Sequence, residues 1–310
     1  MNSFLESLHS SKADIRCALV SQGLRPICTY FAKPEYSTAL FPLYSITKSI
    51  SSLAFGFAIA EKDAPLLRSP IISFCKNELP SQYDSRLASL TFHHILCQCS
   101  GLKWREMGIA WGHGNPLWEM EQSRDWIAYV LGHEFSTEPG RHFNYSTGAS
   151  HLLPYLLGKI TQANPSQIIN ERLFAPLGIK EYKWDVDPMG NLAGGKGLAL
   201  KAQDLLHIGE LVLQKGKWGA HQIVDGAWIN ESTRIHTKGT AFYGDYGYQW
   251  WIRPEGVVAA LGFGGQAVFI DPRSELVAVF LGNLGMQDFS LPMKLFKTLQ
   301  VGIDETSSLV

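Results

Sequence analysis

"LYSITKSISSLAFGFAIA", residues 43–60, places a serine and a lysine three positions apart, Ser45 and Lys48, at the head of an apolar run. Ile46, Ile50, Leu53 and Phe57 recur at i, i+4, i+7 and i+11, the spacing of one buried helical face. The small residues Ala54, Gly56, Ala58 and Ala60 let neighbouring elements approach. A helix beginning near Ser45 puts Ser45, Lys48, Ser49 and Ser52 on a polar line opposite the buried face. The S-x-x-K spacing occurs twice more, as Ser73–Lys76 in "SFCK" and Ser100–Lys103 in "SGLK", so spacing alone does not choose among them.

Chemistry and context narrow the choice. A serine hydroxyl needs a neighbouring base to take its proton, and lysine can be that base where burial favours its neutral form. Ser45 follows the non-helical "LFPLY" and opens a helix, where it gains from the positive N-terminal end. Ser73 lies in a short segment ended by Pro80, and Ser100 falls just past a helix, where Gly101 breaks the geometry that would place Lys103. On this context alone Ser45–Lys48 has two readings, a catalytic pair or a capping serine beside a solvated lysine.

Two distant stretches bear on that choice. In "PGRHFNYSTGASHLL", residues 139–153, Tyr145 sits between a Pro-Gly turn and a helix, flanked by Asn144, Ser146 and Thr147. A tyrosine so placed can relay the serine proton or simply anchor its loop. In "LGFGGQAVFIDP", residues 261–272, Gly262, Gly264 and Gly265 precede a strand. They permit close backbone approach by a ligand, with a backbone N–H completing an oxyanion hole with that of Ser45, or they form an ordinary glycine-rich hairpin.

The surrounding chain reads as α/β. Residues 15–22 and 26–32 are short strands joined by a turn, the texture from about 66 to 190 is helical, and an amphipathic helix covers about 202–215. Within the helical part, "LTFHHILCQCSGL" is a helix closed by Gly101 and "SRDWIAYVLGHE" one capped by Ser123. "YGYQWWIRP", "GVVAALGFG", "QAVFIDPRS" and "ELVAVFLGN" are aromatic or β-branched runs between Gly and Pro turns, an antiparallel sheet, with a final helix near 288–301. The expected organisation is a discontinuous α/β domain, 1–65 with 191–310, and an inserted helical domain, 66–190.

Composition excludes several classes. The 310 residues are 45% hydrophobic and 18% charged, with a net charge of −1, so neither a nucleic-acid footprint nor a membrane patch is expected. No apolar stretch reaches membrane-spanning length. The start "MNSFLESLHSSKADIRC" lacks a basic region followed by an apolar run, which implies a cytoplasmic protein. Five cysteines, an odd number, argue against a disulfide framework. Cys97 and Cys99 beside His93 and His94 invite a metal reading, but no second ligand cluster has zinc-like spacing, and buried reduced thiols account for them.

Taken together, "YSITKS", "ILCQCSGLKW", "EPGRHFNYSTG", "LFAPLGI", "GGKGLALKAQDLLHIGELVLQKGKW", "YGYQWW" and "GFGGQAVFIDP" resemble, in order and spacing, the penicillin-recognising serine hydrolases. That group comprises class C β-lactamases, DD-peptidases, family VIII esterases and 6-aminohexanoate-dimer hydrolases, and the last two branches look nearest. The resemblance implies a β-lactamase/transpeptidase-like fold, an antiparallel sheet flanked by helices with the inserted, mostly helical region. It implies Ser45 as acylated nucleophile, Lys48 as general base and Tyr145 as proton relay. Phe263, Gly264 and Gly265 take the place of the third motif, and the backbone N–H groups of Ser45 and Gln266 form the oxyanion hole. No metal or organic cofactor is implied.

Two departures bear on substrate. Thr147 stands where β-lactamases of this class carry Asn, and Phe263 where they and the carboxypeptidases usually carry a lysine that binds the substrate carboxylate. Losing that charge-assisted contact costs about 1.5–3 kcal/mol. An apolar Phe263 near Tyr248, Trp250 and Trp251 suits a neutral ester, amide or short peptide, with Phe263, Gly264, Gly265, Thr147 and Tyr248 expected to contact it. The expected function is therefore a serine esterase or amidase. A weak β-lactamase or DD-peptidase, and a non-catalytic member that binds a ligand or partner, are the alternatives.

Overall fold

The structure, a computed structural model, describes residues 2–11, 13–62, 64–285 and 288–307. Eight strands form one antiparallel sheet: β1 (Ile15–Gln22), β2 (Arg25–Phe31), β3 (Thr237–Thr240), β4 (Gly244–Tyr246), β5 (Trp251–Ile252), β6 (Val258–Gly262), β7 (Gln266–Asp271) and β8 (Leu276–Gly282). Their order is β2-β1-β8-β7-β6-β5-β4-β3, so the first hairpin pairs with the last strand and the sheet joins both ends of the sequence.

The long helices are α1 (Asn2–Ser10), α2 (Ile46–Lys62), α3 (Thr147–Thr161), α4 (Ala202–Leu213) and α5 (Ser290–Ser307). Side chains alternate across a strand, and here both faces are covered. Leu19, Val268, Val277 and Val279 point into a large core that includes α2, α3 and α4, while Val20, Phe269, Ala278 and Phe280 meet Phe4, Leu295 and Phe296 of α1 and α5 on the other face. Double coverage explains why these strands read as continuous apolar runs. Each fully buried Val, Leu or Phe contributes about 1.5–3 kcal/mol.

α2 differs from the expected amphipathic helix. Every residue from Ile46 to Ala58 is buried, including Lys48, Ser49 and Ser52. The supposed polar line faces protein, not water. The Ser49 hydroxyl donates to the Gln249 carbonyl at 2.7 Å and Ser51 to that of Gly194 at 2.7 Å.

Three other expectations are corrected. The helix in "LTFHHILCQCSGL" is only Phe92–Leu96, because Gln98 adopts a left-handed φ of 57° and turns the chain before Gly101. The cap of Trp126–Leu131 is Asp125, which accepts the Ala128 N–H, while Ser123 ends the preceding helix. "YGYQWW" is no single strand: β4 ends at Tyr246, β5 starts at Trp251, and Gln249 between them has φ 65°. The Gln249 backbone and side-chain N–H groups donate to Ile95 and Leu96 carbonyls instead of to a neighbouring strand.

Candidate active site

Ser45 is held at the head of α2 by a tight turn. Phe41–Pro42 pairs with Leu198–Leu200, the Leu43 N–H donates to Leu198, and the N–H groups of Ile46 and Thr47 donate to Leu43 and Tyr44. Tyr44, a non-glycine residue, sits at φ 47°, a left-handed conformation that costs about 1–2 kcal/mol. That turn leaves Ser45 half-buried with its side chain at a cavity of about 730 Å³.

Lys48, one helical turn on, is 1% exposed. Its Nζ lies 3.1 Å from Ser45 Oγ, 2.8 Å from Thr147 Oγ1 and 2.8 Å from the Gly195 carbonyl. That carbonyl comes so near because Gly195 has no Cβ; one built there would stand 2.6 Å from the Thr147 carbonyl oxygen. Burial is the main force on the ammonium and pulls its pKa down to about 8; Glu106 opposes the shift and Lys196 adds to it.

Tyr145 reaches the same point from the loop before α3. Ser146 caps α3 by accepting the Ala149 N–H, and its own N–H donates to Gln98 Oε1. Tyr145, just ahead of the cap, brings its hydroxyl to the Ser45 side chain and lies with its ring centroid 4.7 Å from Lys48 Nζ. Burial pushes its phenol well above the ordinary range, so at neutral pH it is a proton-bearing hydroxyl.

Glu106 completes the group and was not anticipated. Its Oε1 accepts the Thr147 hydroxyl at 2.6 Å, and its Oε2 accepts the Thr147 N–H at 2.9 Å and the Trp104 indole N–H at 2.5 Å. Thr147 therefore stands between a carboxylate and Lys48. No periodic pattern marks Glu106; the only signal is an acidic residue two positions past the quoted "ILCQCSGLKW", after Arg105.

Of the anticipated residues, Ser45, Tyr145, Thr147 and Phe263 line the cavity. Phe263 is 41% exposed, with its ring edge-on to Tyr44 at 5.4 Å. Gly264 and Gly265 form the turn from β6 to β7, and Gln266 begins β7 with its side chain clipped to both the N–H and the carbonyl of Gly282. Tyr248 stands away from the cavity. It is 2% exposed, hydrogen-bonded to His93 and stacked on His236, so it packs the core where substrate contact was expected. Trp250 is likewise enclosed, whereas Trp251 lines the cavity. The remaining walls combine the rings of Tyr44, Trp111, Tyr243 and Phe289 with aliphatic side chains such as Ile109 and Leu261, and Glu106 faces in beside Thr147. Among the described residues the one cation lining it, Lys196, is paired with Glu121.

The other S-x-x-K pairs do not assemble. Ser73 and Lys76 are both exposed, and Ser100 is buried against the Leu102 N–H while Lys103 pairs with Glu134 at the surface.

An eight-stranded antiparallel sheet with a Ser-Lys pair at the head of a buried helix and a tyrosine from the helical side is the architecture of a β-lactamase/transpeptidase-like fold. The chain belongs to the β-lactamase family, whose model matches residues 32–292. A 6-aminohexanoate-dimer hydrolase of Paenarthrobacter ureafaciens is 25% identical over 153 residues, 46% of this chain and 39% of that protein; the match thus spans well under half of that relative. Among solved structures, a Bacillus anthracis protein provisionally described as a 6-aminohexanoate-dimer hydrolase superposes with a TM-score of 0.81 at 17% identity, covering 97% of this chain and 82% of that one. EstCE1, a hydrolase with promiscuous acyltransferase activity, superposes with a TM-score of 0.74 at 18% identity, covering 95% of each chain. At such identities these superpositions speak for the fold. No helix among the described residues is long and apolar enough to cross a membrane.

Proposed function

We propose that this β-lactamase-family hydrolase cleaves a small neutral ester or amide through an acyl-enzyme on Ser45. The observation that carries the reading is Lys48: buried, its pKa drawn down to about 8, and 3.1 Å from Ser45 Oγ. A neutral amine keeps two N–H donors and one lone pair. With Thr147 Oγ1 and the Gly195 carbonyl taking the donors, the lone pair is left to the Ser45 proton. Thr147 can accept from Lys48 because its own proton goes to Glu106.

In this reading Lys48 takes the hydroxyl proton as Ser45 Oγ adds to the substrate carbonyl, and the N–H groups of Ser45 and Gln266 receive the oxyanion. Tyr145, a neutral phenol, hands a proton to the departing alcohol or amine and is reprotonated from Lys48. Water then adds to the acyl-enzyme by the same route in reverse. The aromatic cavity, with Phe263 in place of a cation and Lys196 already neutralised by Glu121, supports a neutral, apolar substrate over one bearing a carboxylate.

The test is intact-mass analysis after incubation with a fluorophosphonate, on the wild type and on Ser45→Ala, Ser73→Ala and Ser100→Ala. One adduct, absent only from Ser45→Ala, is expected. A folded wild type that takes no adduct overturns the proposal. An ester and amide panel beside nitrocefin then separates esterase from β-lactamase.

A further inference from the structure

Behind the Tyr145 loop, outside the cavity, the segment Cys97–Gln98–Cys99 brings two thiols and an imidazole together. Cys97 Sγ and Cys99 Sγ are 2.9 Å apart, His93 Nε2 is 3.7 Å from Cys97 Sγ, and all three atoms lie within 4.8 Å of one another. Both thiols are buried, whereas His93 is half-buried and gives the group an edge toward solvent. The proximity arises from the backbone. His93 and Cys97 face each other one helical turn apart, and the left-handed Gln98 folds Cys99 back onto Cys97. Sequence spacing alone hides this, since it shows two cysteines with no second ligand pair.

The imidazole is also oriented from behind. His93 Nδ1 is hydrogen-bonded to the Tyr248 hydroxyl at 2.7 Å, and the Tyr248 ring stacks on His236 at 3.7 Å and on Trp228 at 5.6 Å. A histidine whose far nitrogen is tied to an oxygen has its near nitrogen fixed as a ligand. Dimensions agree as well. Zinc bonds of about 2.3 Å to sulfur and 2.0 Å to nitrogen put N and S about 3.5 Å apart and two sulfurs about 3.8 Å apart at the tetrahedral angle. The His93–Cys97 pair already meets the first separation, and Cys99 Sγ, within 4.8 Å of His93 Nε2, has to part from Cys97 Sγ by about 1 Å, a side-chain rotation.

We infer that His93, Cys97 and Cys99 bind a thiophilic divalent cation of the zinc type, with water in the fourth position. Binding makes two metal–sulfur bonds and one metal–nitrogen bond, and the two thiol protons leave to solvent. Two thiolates and an imidazole suit zinc and disfavour magnesium or calcium, which take oxygen ligands. The residue between the two thiols gives the cation a role. The Gln98 carbonyl accepts the Asn144 N–H at 2.6 Å, its side chain accepts from the Ser146 N–H and donates to Ser150, and the Cys99 carbonyl accepts the Gly140 N–H. A cation at Cys97 and Cys99 pins this clamp, and with it the loop that carries Tyr145.

The full-length protein, purified without chelator, is analysed for metal by mass spectrometry; a chelator-treated sample is titrated with Co²⁺ alone. About one equivalent of zinc and a sulfur-to-cobalt charge-transfer band are expected. Cys97→Ser and Cys99→Ser lose the band and Cys75→Ser, at a buried thiol elsewhere, keeps it. Tyr248→Phe, a milder change whose fold is checked by circular dichroism, weakens cobalt affinity about 10- to 100-fold. A folded wild type with only trace zinc and no charge-transfer band overturns the inference. So does a Cys97–Cys99 disulfide mapped in protein purified without reductant and free of metal. None of these readouts depends on Ser45, so this inference and the hydrolase reading fail separately.

Discussion

At the residue scale, Glu106 governs the poise of Lys48. Its charge, passed through the Thr147 hydroxyl, favours the ammonium, whereas burial favours the amine and prevails. Glu106→Gln removes the charge and nearly preserves the shape, so the pKa of Lys48 falls further below 8. A base works when neutral, so the acidic limb of the kcat/KM profile, expected near pH 8 in the wild type, shifts to lower pH. A pH–rate profile on an ester substrate decides it; an unmoved limb would reduce Glu106 to a structural support. At the cavity mouth, Phe263→Lys restores a cation for a carboxylate and should raise penicillin acylation efficiency ten- to a hundredfold, about 1.5–3 kcal/mol, read by competition with the fluorophosphonate. The legibility of these residues differs for a physical reason. Ser45 and Lys48 are linked by helical periodicity, which a sequence displays. Glu106 and Thr147 are brought together by an irregular loop folding onto α3, which no local pattern encodes.

At the element scale, the join between α2 and β6 depends on one missing side chain. A Cβ on Gly262 would stand 2.2 Å from the Leu43 carbonyl oxygen. Backbone cannot rotate away as a side chain can, so Gly262→Ala must part the strand end from the turn that presents Ser45. The expected loss is about 1–3 kcal/mol of stability with slower labelling of Ser45, measured by denaturant unfolding and fluorophosphonate kinetics. Unchanged labelling would show that the turn is positioned from elsewhere. The strands of the main sheet were readable because their β-branched runs between turn residues need no tertiary information. The all-round burial of α2 was not, because Ser49 and Ser52 imitate a solvated face until the fold encloses them and the Gln249 carbonyl takes the Ser49 hydroxyl.

At the scale of the whole molecule, the enclosed thiols and phenols set the alkaline limit of stability. Burial pushes Cys17 and Cys75 from 9.0 up to about 12, and raises Tyr145 and Tyr246 further. Raised folded-state values mean that the unfolded chain releases these protons first, so their stabilisation is intact below about pH 9 and is lost as pH climbs toward 12. Lys48 has the opposite sign, gaining stability as pH rises from 8 toward 10.5, but it is one group against several. Urea midpoints should fall between pH 9 and 12, and Cys17→Ala with Cys75→Ala should flatten that decline; a flat wild-type profile would refute the account. The cavity itself is built to two standards. The end that holds Ser45 and Tyr145 is locked between α2, α3 and the sheet, while its outer wall hangs on the irregular segment 107–111, where Trp111 is 61% exposed. On the proposed reading, substitutions in that segment change which molecules the cavity admits and leave Ser45, Lys48 and Tyr145 in place, so the choice of substrate can drift while the reaction is kept.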